Sequence, residues 1–316
     1  MDKILNNTVH FLTIDNDYAG QRIDNFLITK LKGVPKTRIY RLLRKGEVRV
    51  NKKRIGPDYR LVAKDIVRIP PVRLPTQKEK STPSESLIEF LKTRILFEDK
   101  YLIIINKPPN IPVHGGTGVS MGLIEALRHL YPRIPLELAH RLDLETSGCL
   151  IVAKKRSTLK EVNDLLREGK VSKIYWALTK GHWTQKETKV DVPLLKNHLS
   201  SGERIVKVSS EGKEALSFFS TVKTFERCSL MEVDLKTGRT HQIRVHAQYR
   251  RHPIAGDSKY GDKQFTADMK KLGLKRLFLH AKRLSFTLPS SGVKYEVEAP
   301  LDSDLEQVVK RLPARG

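Results

Sequence analysis

From Arg73 to Ser86 the chain reads RLPTQKEKSTPSES, a polar stretch with two prolines and no apolar periodicity. It constrains the fold more than any other segment, because neither an amphipathic helix nor a half-buried strand can run through it. The patterned regions on either side must bury their apolar faces separately. A linker over 73–87 is therefore expected, with a small domain over 18–72 before it and a larger one over 88–316 after it. At 316 residues the chain has material for both.

The small region predicts a compact α+β module. PKTRIYRLLRKG, from Pro35 to Gly46, has proline at its start, glycine at its end and Ile39, Leu42 and Leu43 on one face, as a short amphipathic helix requires. An earlier helix is expected over about Arg22 to Leu31. EVRVNKKRI alternates around an Asn-Lys pair, which predicts a hairpin, and DIVRIP predicts a closing strand.

Charge is unevenly spread. The chain carries 59 Lys and Arg against 35 Asp and Glu, a net of +24. From Lys30 to Lys80 there are 17 basic residues against 4 acidic ones, so over half of the excess lies in that stretch. Such a charge attracts polyanions, although a run of cations is ordinarily a solvated helix face. Here Arg38, Arg41, Arg44 and Lys45 fall opposite the apolar face of the expected helix and continue into Arg49, Lys52, Lys53 and Arg54, a strip of the kind that tracks phosphates. RIDNFL, KTRIYRLLRKGEVRVN and DIVRIP resemble, over about residues 20 to 70, the alpha-L RNA-binding domain named after a ribosomal small-subunit protein. That resemblance implies RNA binding by Arg38, Arg41, Arg44, Lys45, Lys52 and Lys53.

Beyond the linker, short strands (YLIIINK, CLIVAKK, KIYWALTKG, CSLMEVDL) alternate with helices (MGLIEALRHLY, LKEVNDLLREG), which predicts a mixed α and β domain. Cys149 and Cys228 lack CxxC spacing, so neither a disulfide framework nor a thiolate metal site is implied. His241 and His246 are not in HExxH spacing, and no metal is expected. HGGTG, from His114 to Gly118, resembles a phosphate loop but lacks the rest of such a motif and reads as a tight loop. No apolar run is long enough to span a bilayer, and Met1 to Asn7 shows no export or organelle signal, so a cytoplasmic protein without a membrane partner is expected.

Ala139 to Lys155, AHRLDLETSGCLIVAKK, packs His140, Arg141, Asp143, Glu145, Thr146 and Ser147 into a loop ahead of an apolar strand. Turn and capping hydrogen bonds are the ordinary use of such residues. However, HRLDLETSG matches the HRLDxxTSG motif of the RluA-like pseudouridine synthases. LFEDKYLIIINKPPNIPVHGG, KIYWALTKG, LKTGRTHQIRVH, HPIAGDSKYGD and RLFLHAKRLSF extend the likeness through the whole second region. The chain is thus identified as resembling that family, which implies a mainly antiparallel sheet in an α+β catalytic domain and isomerisation of uridine to pseudouridine without a cofactor.

The same resemblance assigns roles. Asp143 is the essential carboxylate and nucleophile, Arg244 its salt-bridge partner, and Tyr175 the ring that stacks on the uracil and assists the final proton transfer. Arg141 fills the space left by the flipped nucleotide; unstacking that nucleotide costs a few kcal/mol. The implied partner is large-subunit ribosomal RNA, free or in assembling particles, acted on by a monomer. Two other readings remain open at this point: a glycosylase that releases uracil, and a purely RNA-binding assembly factor.

Overall fold

In the computed structural model, residues 8–31, 33–72, 82–115, 121–198 and 204–315 are described. The chain divides into two compact units, Met1–Thr82 and Pro83–Gly316. Much of the expected linker, part of the HGGTG loop and part of the stretch between Leu194 and Ser209 lie outside the described residues.

The first unit holds β1 (His10–Thr13), α1 (Ile23–Lys30), α2 (Lys36–Lys45), β2 (Arg49–Val50), β3 (Lys53–Arg54) and β4 (Ile66–Ile69), its strands ordered β1-β4-β2-β3. Helix α2 starts after Pro35 and stops at Gly46, whose φ of 70° lets its N–H turn back onto the Leu42 and Leu43 carbonyls. Ile39, Leu42 and Leu43 are buried against α1 residues Phe26 and Leu27, each contributing roughly 2 kcal/mol of apolar burial. Asn51 and Lys52 both take positive φ, 49° and 66°, and form the tight turn that joins β2 to β3. Strand β1 pairs with β4 from His10↔Ile69 to Thr13↔Ile66, so the sheet begins ahead of residue 18. Its four residues, HFLT, are too short to announce a strand in the sequence.

The second unit is built on a ten-stranded sheet. Its elements are α3 (Glu85–Thr93), β5 (Ile95–Glu98), β6 (Leu102–Lys107), α4 (Leu123–Leu130), β7 (Glu137–Leu138), β8 (Ser147–Ala153), α5 (Arg156–Arg167), β9 (Ser172–Lys180), β10 (Glu187–Asp191), β11 (Leu194–His198), β12 (Arg204–Val208), β13 (Leu216–Thr224), β14 (Cys228–Leu235), α6 (Gln242–Tyr249), α7 (Lys263–Lys271), β15 (Leu279–Thr287), β16 (Lys294–Glu298) and α8 (Ser303–Arg311). Helix α3 begins inside the expected 73–87 linker, because the Ser84 side chain caps it by accepting from the Leu87 N–H at 3.2 Å.

The sheet runs β10-β13-β14-β9-β15-β8-β6-β5, with β16 on β15, β7 on β8, and β11 and β12 forming a separate pair. Among the described residues of this unit all strand pairings are antiparallel except β8 with β15. That pairing needs Gly148: its φ is +109°, and a Cβ there would meet the Ala281 carbonyl oxygen at 2.3 Å. Glycine at this point lets the loop ahead of β8 enter the middle of the sheet.

Candidate active site

Residues 139–146 join β7 to β8 and form one wall of a cleft of about 490 Å³, lined among others by Arg141, Asp143, Lys173, Tyr175, Arg239 and Arg244. Leu142 is buried in the core between exposed Arg141 and partly exposed Asp143, so it anchors the loop while its neighbours face outward. The backbone is held at several points. Thr146 N–H donates to the Asp143 carbonyl at 3.2 Å and Asn110 N–H to the Leu144 carbonyl at 2.9 Å. The His140 ring, packed under the loop, accepts from the Ile151 N–H at 3.1 Å; desolvation pushes its pKa down to about 4, so it is neutral.

Beneath the loop lies Lys107, fully buried, whose ammonium donates to the carbonyls of Pro108 at 2.8 Å, Ile111 at 3.0 Å and Leu144 at 3.1 Å. Burial lowers its pKa to about 7, and the three acceptors take all three protons of the charged form. One of those acceptors adjoins Asp143. This buried lysine thus adds a further tie to the backbone next to the loop's acid.

Arg244 rises from the first turn of α6. The turn before it is tied down by Gln242, whose Oε1 accepts from Thr237 Oγ1 at 2.8 Å and from the Arg239 N–H at 3.0 Å. The principal partner of Arg244 is not Asp143 but Asp257: Nε and Nη2 donate to it at 2.8 and 2.7 Å, in a bidentate pair with side chains 3% and 0% exposed. Burial of Asp257 favours its neutral acid, but the hydrogen bonds and charge of Arg244, with the Tyr260 and Lys259 N–H groups, outweigh this and hold it below the usual carboxylate range. Arg244 also lies 3.8 Å from Asp143 and 4.0 Å from Glu145. Asp257 therefore fixes the guanidinium and leaves one edge facing Asp143.

His241 completes this corner. Its φ of 54° is unusual for a residue with a Cβ, its Nδ1 lies 2.8 Å from the Tyr260 hydroxyl, and its Nε2 lies 3.9 Å from Asp143. Burial lowers its pKa despite the opposing pull of Asp143. Tyr175, on β9, is buried in the cleft floor, and burial followed by the Asp143 charge raises its pKa well above the usual phenol value, so it is a neutral ring and a donor at ordinary pH.

Sequence reading brought Asp143, Arg244, Tyr175 and Arg141 to attention, and all four line this one cleft. It assigned no role to Asp257, Lys107 or His241. Asp257 stands in the motif segment HPIAGDSKYGD, but its partner is an ion-pair distance away only in three dimensions.

In the first unit Arg41, Arg44, Lys45, Lys52 and Lys53 are exposed and have no carboxylate partner among the described residues, while Arg38 is half-buried. Arg41, Arg44 and Arg54 flank a groove of about 780 Å³ that includes Tyr40 and Pro57. Among the described residues no group of three or more His, Cys, Asp or Glu could hold a metal ion, and no helix is long and apolar enough to cross a membrane.

The sequence pattern of the RNA pseudouridylate synthase family matches residues 101–249, and that of the S4 domain matches residues 21–67. The chain is similar to ribosomal large subunit pseudouridine synthase C of Pasteurella multocida (strain Pm70), 54% identical over 98% of this chain and 96% of that protein. It is also similar to the protein of the same name from Escherichia coli (strain K12), 51% identical over 96% and 97%. Among solved structures, human RNA pseudouridylate synthase domain containing 4 is 29% identical with a TM-score of 0.60, covering 72% of this chain and 95% of that one.

Proposed function

The chain belongs to the family of RNA pseudouridylate synthases, and from that premise we propose that it isomerises uridines of large-subunit ribosomal RNA with Asp143 as the reacting carboxylate. It is an RNA pseudouridine synthase with an S4 domain at its N-terminal end. The observation that carries the assignment of Asp143 is its place at the wall of the cleft, 3.8 Å from an arginine that a second, fully buried carboxylate holds in position.

In the reaction the bond from nitrogen 1 of uracil to carbon 1′ of the ribose breaks and a bond from carbon 5 to carbon 1′ forms. A proton leaves carbon 5 and one is taken up at nitrogen 1, so composition is unchanged. Asp143 supplies the nucleophile, and the cationic edge of Arg244 favours its charged form and aims it. Tyr175 offers the flat face on which the detached uracil can turn, and its neutral hydroxyl is a donor to that base. Arg141, exposed beside the acid, takes the space of the flipped nucleotide, where a planar guanidinium can stack. The exposed cations of the first unit bind the phosphates of the same RNA. The accompanying reading is a cytoplasmic monomer that acts on this RNA free or in assembling particles.

The test is tritium release from large-subunit rRNA labelled at carbon 5 of uracil. Release by the native protein, none by Asp143→Asn, and uracil retained in the RNA is the expected result. An abasic product would point instead to a glycosylase, and no release from either naked RNA or particles would leave an RNA-binding assembly factor.

A further inference from the structure

Four Lys and Arg side chains are buried among the described residues: Lys107, Lys173, Arg244 and Arg276. Three of them are satisfied: Lys107 by carbonyls, Arg244 by Asp257, and Arg276 by Asp302 at 2.9 Å and Asp304 at 2.7 Å. Lys173 is the exception. It is 7% exposed, and among the described residues no hydrogen bond or ion pair reaches its ammonium. Burial lowers its pKa; Asp234 attracts the charged form but is itself paired at 2.7 Å with Lys236, whose charge works against that attraction. The side chain is largely buried while its nitrogen opens onto the cleft, so a cation with no counter-charge from the protein is left facing whatever the cleft holds, and an anionic ligand there would supply the missing charge.

The ammonium borders the cleft. Lys173 lines it together with His140, Asn163 and Arg167, and its charge reaches the His140 ring. It stands on β9 two residues before Tyr175, so the two side chains leave the same face of the strand, roughly 6.7 Å apart along it. That spacing is comparable to the reach of a nucleotide from its base to its own phosphate. With uracil against Tyr175, the anionic part of the same nucleotide arrives at Lys173. The carbonyl oxygens of uracil are neutral and would leave the charge unbalanced, whereas a phosphate balances it.

We propose that Lys173 is a substrate-binding residue that donates to a non-bridging phosphate oxygen adjoining the target uridine. The proposal rests on the reading of the cleft as a uridine-isomerising site. Lys173 acts beside Arg141 and Arg239, which line the same cleft and can follow the strand on either side.

The experiment is phosphate-ethylation interference on large-subunit rRNA fragments, sparsely ethylated so that each blocked position can be mapped, with the native protein, Lys173→Met and Lys173→Arg. With the native protein, ethylation of one phosphate beside the modified uridine blocks binding and conversion. With Lys173→Met that position alone ceases to interfere, and unmodified RNA binds about ten to a hundredfold more weakly, the range of a charge-assisted hydrogen bond. The free variant melts no lower than the native protein, because an unpaired buried charge has been removed. Lys173→Arg restores the interference. Interference at the same phosphate in both native protein and Lys173→Met overturns the proposal while leaving the isomerase intact, and so does a marked fall in melting temperature, which would make the lysine a support of the fold. Absence of pseudouridine from the native reaction removes the reading of the cleft and the proposal together.

Discussion

In the first unit Arg41, Arg44, Lys45, Lys52 and Lys53 stand in solvent with no carboxylate partner among the described residues, whereas in the second Arg244 is 3% exposed and sealed against Asp257. The same residue chemistry is used for opposite ends. Exposed cations act in a high dielectric, cost little to hold apart, and attract any phosphate within a Debye length. The buried pair acts where charge is expensive and position is fixed by hydrogen bonds, so its influence is confined to the carboxylates beside it, Asp143 and Glu145. The first arrangement suits affinity that tolerates sequence variation; the second suits chemistry that does not tolerate a displaced atom.

The contrast can be broken most severely at Asp143. Asp143→Asn should lower tritium release by roughly a thousandfold or more while melting and RNA affinity stay near native values. Residual release close to that of the native protein would remove Asp143 from the chemistry. Arg244→Met comes next: it leaves Asp257 buried and unpaired, so calorimetry should show a loss of about 3–5 kcal/mol along with abolished turnover. Arg244→Met combined with Asp257→Leu should recover much of the stability and none of the turnover. If the double variant turns over, Arg244 is a structural residue only.

Acid should then separate the units. His140, His246 and His280, all in the second unit, have pKa values lowered by burial to about 4, against an ordinary 6.5. Their contribution is present above pH 6.5 and is lost as pH falls from there through 4, by up to roughly 3 kcal/mol each. The described part of the first unit contains no buried histidine, so hydrogen exchange during acidification should show the second unit opening first. The smallest effect is at the surface. Replacing Arg41, Arg44, Lys45, Lys52 and Lys53 by Ala should flatten the dependence of RNA affinity on salt by about 0.7 in log–log slope for each phosphate left without its cation. An unchanged slope would take RNA binding away from this face.

Much of this was legible because local rules dominate it. Pro35 and Gly46 bracket α2, the Asn51-Lys52 pair makes the turn between β2 and β3, and YLIIINK and CSLMEVDL lie where β6 and β14 form. The candidate site was legible through its motif, which points to Asp143, Tyr175 and Arg244, three residues that meet in the cleft. Asp257 and Lys107 were not legible as parts of it. One acts through a bidentate pair and the other through main-chain carbonyls, and neither kind of partner leaves a periodic trace in sequence. The sheet order was equally hidden, since the pairing of β8 with β15 depends on packing across most of the second unit.

That one parallel pairing also sets a clock. Ser147 and His280 are register partners, so β8, which follows the loop that bears Asp143, can pair early with β6 but not with β15 until Leu279–Thr287 has been synthesised. The sheet of the first unit closes with His10 on Ile69 and needs nothing later in the chain. At the usual pace of translation, the first unit is complete about 10 to 40 s before the sheet that carries the cleft can assemble. On the proposed reading, a nascent chain of this protein meets RNA before it can act on it, and a chain released short of β15 is expected to bind without turning over.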